Sequence, residues 1–197
     1  PVFDGTQIRG YSSPDGTTWT QVGQPANLPT GTVRLGMFAL GNAAATTVTA
    51  EFDWFTLTTP GSGSGGAGDD FTGTSLDKTR WNAIQREDTS LYKVENGALT
   101  ATLVQADVAG GNKNYFLQTA DHTSPDYVLE TKRSAWTFVG QFRQAGILIW
   151  QDDNNYVKFN AISDGTNTRI NRIENRSKVA GTVTSPQPNL DVPAGVT

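Results

Sequence analysis

Three observations predict an all-β protein, an antiparallel two-sheet β-sandwich. Short segments alternate apolar with polar residues and end in Gly, Asn or Asp, as half-buried strands do. No segment has the length and the 3.6-residue period of an amphipathic helix. The composition has 21 Gly, 10% aromatic residues and only 17% charged residues, which suits short strands joined by many turns.

Residues 1–58 carry the first predicted strands. "TQIRGYSS" and "TTWTQVG" flank a Ser-Pro-Asp-Gly turn and predict a hairpin, in which the Asp15 carboxylate is expected to accept backbone amides. The strands "TVRLGMFAL" and "TVTAEFDWFTL" follow. We expect the buried side of the hairpin to hold Ile8, Tyr11, Trp19 and Val22, and the last strand to carry Phe52 and Trp54 on one face and Asp53, Phe55 and Leu57 on the other.

Residues 59–68 have the Gly/Ser composition of a flexible linker. Beyond it, strands are predicted in "YKVENGALTATLV", "YFLQTA", "DYVLETKRSAW", "AGILIWQ", "NYVKFNAIS", "TRINRIEN" and "AGTVTS". Asn96-Gly97 and the segment from Asp152 to Asn155 are the predicted hairpin turns. The total of roughly a dozen strands is enough for a two-sheet sandwich.

Composition and charge restrict the class of function. The net charge of -4 argues against nucleic acid as a partner, because phosphate binding needs clustered Lys and Arg. The lack of Cys excludes disulfides, thiolate metal sites and Cys nucleophiles. No apolar run reaches the ~20 residues of a membrane span. Few Lys and many Thr, Asn and Gly residues are typical of a secreted, extracellular protein.

The order of the segments resembles a known family, with its two parts exchanged. "DDF", "ENGALT" and "AGILIWQDDNNYVKF", followed by "YSSPDGTTWTQVG", "VRLGMFAL" and "AEFDWFTL", are similar to concanavalin A-like (laminin G-like) jelly-roll domains attached to bacterial glycoside hydrolases. Residues 69–197 resemble the first two-thirds of such a domain and residues 1–58 its final third. A circular permutation, natural or engineered, would join the former ends through residues 59–68 and give one domain.

Two other arrangements of the halves remain open. The half-domains of neighbouring chains could pair and form swapped oligomers, or the chain could span two tandem copies, each cut short. Two independent domains are the least favoured option, because about 58 residues without Cys would leave sheet edges and an apolar face exposed. The prediction is therefore a monomer or a domain-swapped oligomer.

The sequence offers little support for catalysis. Glycosidases need paired carboxylates, and the E-[IL]-D-x-x-E strand motif of lectin-like hydrolases is not present. Glu130 and Glu174 each put one acid on a strand and could in principle pair across a sheet. His122, the only histidine, lies in a turn-like segment, and no Gly-x-Ser-x-Gly elbow is present. We therefore predict no catalytic residues.

Acidic residues near the linker predict a structural calcium site. Calcium takes oxygen ligands, which Asp69 and Asp70 in "GDDF" and Glu51 and Asp53 in "EFDWF" would supply. The resemblance makes the first and last strands of the domain neighbours. It therefore implies that Asp70 and Asp53 are the first candidates.

Aromatic and amide side chains predict a glycan-binding face. Aromatic rings stack on pyranose CH faces, while amides, carboxylates and Arg bond the hydroxyls. Alternation in "NYVKFNAI" puts Tyr156, Lys158 and Asn160 on one face, opposite Val157 and Phe159, and this polar-aromatic face is expected to be solvent-facing and concave. Trp136, Arg143, Gln151 and Arg169 complete the predicted binding set. Further aromatic candidates are Tyr115, Trp150, Phe138, Phe142 and Trp19, while Trp54 and Trp81 are interpreted as core or edge-packing residues.

These features favour a non-catalytic, secreted carbohydrate-binding module that serves a polysaccharide-active enzyme. A glycoside hydrolase or lyase with dispersed carboxylates is the first alternative. A domain-swapped assembly protein is the second. The ligand expected on the leading hypothesis is a polysaccharide or glycan.

Overall fold

The computed structural model describes residues 1–4, 7–28, 31–41, 48–58, 68–118, 126–133, 142–163, 172–184 and 190–191. Their secondary structure is almost entirely β, in two antiparallel sheets packed together, which confirms the predicted all-β sandwich. Two 3₁₀ turns, Thr89–Leu91 and Val108–Gly110, are the helical segments of this part of the chain. The strands are β1 (Val2–Asp4), β2 (Gln7–Ser12), β3 (Thr20–Asn27), β4 (Arg34–Leu40), β5 (Thr49–Thr58), β6 (Tyr92–Glu95), β7 (Ala98–Thr102), β8 (Phe116–Gln118), β9 (Asp126–Arg133), β10 (Gln144–Asp152), β11 (Asn155–Ile162), β12 (Arg172–Val179), β13 (Thr182–Thr184) and β14 (Leu190–Asp191).

Each sheet has a continuous order of strands. Sheet A runs β3-β2-β1-β9-β5-β7-β6, and sheet B runs β13-β12-β11-β10-β4-β8 with β14 beside β12. In both sheets, strands that are distant in sequence lie side by side. The described residues contain no helix long and apolar enough to cross a membrane.

Both sheets combine strands from the two sides of the Gly/Ser segment. β5 lies between β9 and β7 in sheet A, and β4 pairs with β10 in sheet B. The Phe55 amide donates to the Asp69 carbonyl at 2.9 Å, and the Asp69 amide donates back at 2.8 Å. The two parts therefore share one core within a single chain. Residues 59–67 of the predicted linker lie outside the described residues, and the permuted order relative to lectin-like domains stays a prediction.

The predicted alternation in β11 is confirmed, and β10 alternates in the same way. Ile147, Ile149 and Val157 point into the main core between the sheets. Leu148 and Lys158, which are register partners, lie on the outer face of sheet B. The core side of sheet A is filled mainly by Ile8, Ala26, Phe52, Phe55, Leu57, Leu99, Ala101, Tyr127 and Leu129.

The first hairpin differs from its predicted sidedness. Ile8 and Val22 are buried as expected, but Trp19 is exposed and Tyr11 is only partly buried. Ile8 and Tyr11 are three residues apart, and an odd separation puts two strand residues on opposite faces. Gly10 takes the core position instead, where an added Cβ would lie 2.1 Å from the Phe159 ring.

A β-bulge in β5 overturns the predicted faces of that strand. The pairing of β5 with β9 shifts register between Phe52 and Trp54. The extra residue resets the alternation, so Phe52, Phe55 and Leu57 all face the core. Trp54 and Thr56 are left on the outer face of sheet A.

The two predicted hairpin turns are confirmed. Asn96 and Gly97 have φ values of 54° and 75°, the left-handed conformation that a two-residue hairpin turn requires. In the second turn, the Asp152 carboxylate accepts the Asn154 amide at 2.7 Å and the Asn155 side-chain amide at 3.0 Å. These bonds close the β10–β11 hairpin locally.

Candidate functional site

The face predicted to bind glycans is buried. Tyr156, Lys158 and Asn160 do share the outer face of sheet B, but Lys158 is 0% exposed and the other two are nearly as buried. Burial raises the pKa of Tyr156 to about 12 and lowers the pKa of Lys158. The prediction that this face is solvent-facing is therefore wrong.

Part of this face is covered by the segment between β7 and β8. Val108 and Tyr115 from that segment pack against the outer face, and the Tyr115 hydroxyl donates to the Val108 carbonyl at 2.6 Å. Arg86 stacks 4.8 Å from the Tyr115 ring and pairs with Asp153 at 3.1 Å. The result is a second apolar cluster, which consists of Phe38, Leu40, Val108, Tyr115, Leu117, Leu148, Trp150 and Tyr156.

The rest of the face is a buried polar cluster around Lys158. Its ammonium donates to the Gln144 side-chain oxygen and lies 3.7 Å from the Glu174 carboxylate. Asn160 donates to Glu174 at 3.3 Å, and Arg172 approaches the second carboxylate oxygen at 3.4 Å. Buried charges are tolerated when they are paired in this way. The cluster therefore gives Lys158 and Asn160 a structural role, and their predicted role in glycan binding stays a prediction.

The other predicted glycan-binding residues are scattered. Arg143 is buried, and its backbone amide donates to the Ser163 hydroxyl at 3.0 Å. Gln151 is partly buried at the end of β10. Trp136 and Arg169 lie outside the described residues, as does His122.

Two of the predicted calcium ligands are engaged in local hydrogen bonds. The Asp69 carboxylate accepts the Phe71 amide at 2.9 Å through one oxygen and the Trp81 indole N–H at 2.7 Å through the other. Asp70 accepts the Thr72 hydroxyl at 2.9 Å. These bonds fix the start of the second segment.

The other two predicted ligands lie on β5. Asp53 forms an ion pair with Lys132 at 2.7 Å, and Glu51 is partly buried. Within the described ranges, no three acidic or histidine side chains cluster closely enough to hold a metal ion. The arrangement does not favour calcium bound by these four carboxylates, and calcium stays a prediction.

Glu130 and Glu174 cannot form a catalytic pair in this fold. Glu130 follows the core residue Leu129 in β9 and faces outward from sheet A. Glu174 pairs with Asn160 on the outer face of sheet B. Packed sheets lie about 10 Å apart, so carboxylates on opposite outer faces exceed the ~5–9.5 Å separation of glycosidase pairs.

An open groove on the outer face of sheet A brings one exposed and one partly buried aromatic side chain next to a carboxylate. Trp19 is 46% exposed, the largest exposed aromatic side chain of the described residues. Tyr11 from β2 and Glu130 from β9 line the same groove, whose volume is about 270 Å³. Pro1, Val2, Val128 and Leu129 complete the lining.

The turn before Trp19 is held by the Asp15 carboxylate, as predicted. One oxygen accepts the Thr18 amide at 2.7 Å, the Thr17 amide at 2.8 Å and the Ser13 hydroxyl at 3.0 Å. These bonds, the Thr18 amide first, hold the pKa of Asp15 well below its usual range. The turn thus fixes the backbone that leads directly into Trp19.

Replacing Asp15 by Asn is expected to lower the melting temperature at pH 7, because the charge-assisted component of these bonds is lost. A carboxylate whose pKa is depressed by folding stabilises the protein fully above about pH 5 and loses that contribution as the pH falls through the folded pKa. The difference between wild type and Asp15→Asn should therefore shrink below about pH 4. Thermal melts from pH 7 to pH 2 measure it.

Asp15→Ala serves as the comparison, since alanine removes every acceptor whereas asparagine keeps one side-chain oxygen. We expect the larger loss for alanine. Equal melting temperatures for all three proteins at pH 7 would contradict a stabilising role for the turn.

Sequence patterns name Trp19 among the aromatic candidates, but they place both Tyr11 and Trp19 on the buried side of the first hairpin and give Glu130 no binding role. The three side chains meet only because β1 lies between β2 and β9. No family model, curated protein or solved structure matches this chain.

Proposed function

We propose that this chain is a non-catalytic carbohydrate-binding module whose ligand occupies the groove at Tyr11, Trp19 and Glu130. The observation that carries the proposal is the exposure of Trp19, 46%, at the mouth of an aromatic-lined groove. Because the Trp19 indole is exposed, its apolar surface contributes little hydrophobic free energy in the unbound protein. A sugar ring stacked on the indole would bury that surface and gain this free energy on binding.

The chemistry of the groove suits a sugar. The faces of Trp19 and Tyr11 offer apolar surface for pyranose CH groups. Glu130 accepts hydrogen bonds from hydroxyl groups, which are the polar atoms that every pyranose presents. Apolar contact and a few polar groups in one groove are the usual composition of a small-ligand site.

The wider setting is part of the same proposal. The module would be secreted and attached to a polysaccharide-active enzyme, as its resemblance to permuted concanavalin A-like accessory domains implies. Binding would then raise the effective concentration of that enzyme at its substrate. The groove residues, rather than the buried Tyr156–Lys158–Asn160 face, would make the contact.

Trp19→Ala is expected to weaken glycan binding about tenfold or more, because truncating a central aromatic contact removes a large share of binding free energy. Tyr11→Ala should have a smaller effect in the same direction. Calorimetric titration with a panel of soluble oligosaccharides, after a glycan array has selected the ligands, measures both. Parallel titrations in EDTA test calcium.

Phe142→Ala is the matched control, since Phe142 is 38% exposed and belongs to the segment that enters sheet B. Its affinity should equal that of wild type. A glycan array without binding to any glycan, or an equal loss of affinity in Phe142→Ala and Trp19→Ala, would contradict the groove as the binding site.

Two measurements test the alternative functions. A reducing-sugar assay with wild type and Glu130→Gln tests the hydrolase alternative, and a solution mass well above 21.1 kDa would favour the assembly protein.

A further inference from the structure

A second hollow lies on the same outer face of sheet A as the groove. Its volume is about 330 Å³. Trp54 and Thr56 from β5 line it, together with the exposed side chains of Asp70 and Arg80. The bulge in β5 puts Trp54 there, because without the extra residue its side chain would face the core.

Strand register makes the two hollows neighbours. Thr56 of the second hollow and Glu130 of the groove are direct partners across the β5–β9 pair. Neighbouring strands lie about 4.8 Å apart, so Tyr11 on β2 and Trp54 on β5 are separated by three strand spacings, or about 14 Å. That distance is longer than one pyranose ring.

The groove and the second hollow both present aromatic side chains, and they form the two ends of one surface on sheet A. Trp19 and Tyr11 present aromatic rings at one end, and Trp54 presents a third ring at the other. Aromatic rings at separated points match a ligand whose apolar faces repeat along a chain. A single sugar ring would contact only one end.

The charged residues that line the two hollows indicate whether the polysaccharide ligand is charged or neutral. The two hollows are lined by the carboxylates of Glu130, Asp69 and Asp70 against one guanidinium, that of Arg80. Both carboxylate oxygens of Asp69 accept internal hydrogen bonds. A surface with excess negative charge disfavours a polyuronate and accepts an uncharged chain.

We propose that the groove and the second hollow bind one linear, uncharged polysaccharide chain that runs across the strands of sheet A. One sugar unit stacks on Trp19 and Tyr11, and a later unit of the same chain stacks on Trp54. This inference rests on the proposed function and goes further by naming the ligand as an extended neutral chain.

The test is the dependence of affinity on chain length. Calorimetric titrations use gluco-, manno- and xylo-oligosaccharides of one to six units, with oligogalacturonates as the charged comparison. For the neutral series that binds, affinity should rise about tenfold or more between the disaccharide and the hexasaccharide. Trp54→Ala and, separately, Arg80→Ala should reduce that rise and leave disaccharide affinity unchanged, whereas Trp19→Ala should weaken every length.

Each outcome bears on a different statement. Three results would overturn the proposal of an extended neutral chain and leave the groove as a glycan site. They are equal affinity for short and long oligosaccharides, an undiminished length dependence in both second-hollow variants, and tighter binding of oligogalacturonates than of neutral oligosaccharides. No binding of any oligosaccharide would overturn the proposed function as well. Thermal melts confirm that each variant is folded, and Arg80→Ala keeps the test decisive if Trp54→Ala is unstable.

Discussion

Trp81→Ala is expected to lower the free energy of unfolding by about 3–5 kcal/mol, the usual loss when a buried Trp is truncated. Trp81 is 1% exposed and its ring centroid lies 5.3 Å from that of Phe55 and 6.0 Å from that of Phe71. Its indole N–H also bonds Asp69 at 2.7 Å, so truncation leaves a cavity and removes a donor from a carboxylate. Equilibrium unfolding in urea, followed by circular dichroism, measures the change.

This substitution also tests whether the two parts of the chain share a core, since Phe55 precedes the Gly/Ser segment and Trp81 follows it. Trp81→Phe keeps most of the buried ring and should cost less than alanine. Trp54→Ala, at a partly exposed position on the outer face, is the matched tryptophan control and should cost far less. Equal small losses for Trp81→Ala and Trp54→Ala would mean that the shared core is not formed.

Glu174→Gln is expected to lower the free energy of unfolding by about 3–5 kcal/mol at neutral pH, because it leaves a buried cation without its paired carboxylate. The Lys158 ammonium is fully buried and lies 3.7 Å from Glu174. Glutamine has nearly the same shape and keeps an oxygen for the Asn160 amide, so the loss reports charge more than packing. Urea unfolding of both proteins gives the difference.

Lys158→Met and the double variant complete a mutant cycle. Lys158→Met alone should cost less than Glu174→Gln, because Glu174 keeps Arg172 at 3.4 Å and Asn160 at 3.3 Å. The double variant should recover much of the loss, since replacing both partners removes the unpaired charge. Strictly additive losses would show that the two side chains do not interact.

The local chemistry of the sequence determined the strands and turns. Alternation identified the core-facing residues of β11, Val157 and Phe159, because neighbouring strand residues point to opposite faces. Asn96-Gly97 and Asp15 predicted their turns because positive φ and carboxylate-to-amide bonds depend on residues close in sequence. These features need no knowledge of distant contacts.

The sequence did not reveal that another segment of the chain packs on the outer face of sheet B. Alternation shows that Lys158 shares a side with Tyr156 but not what packs on that side. Val108, from a segment without strand or helix periodicity, and Tyr115, at the start of the predicted strand "YFLQTA", pack on that side and make an expected binding surface into a second core. The bulge in β5 was missed for a related reason, since a bulge is defined by the partner strand and moves Trp54 to the outer face.

The sequence by itself determined an all-β chain, the two faces of β11, and the hairpin turns at Asp15, at Asn96-Gly97 and at Asp152 to Asn155. Only the tertiary structure decided that Glu130 and Glu174 lie on opposite outer faces, and that Tyr11, Trp19 and Glu130 meet in one groove. The physical reason is that strand order and register are set by pairing between residues more than a hundred positions apart, as between β1 and β9. Local patterns carry no information about such partners.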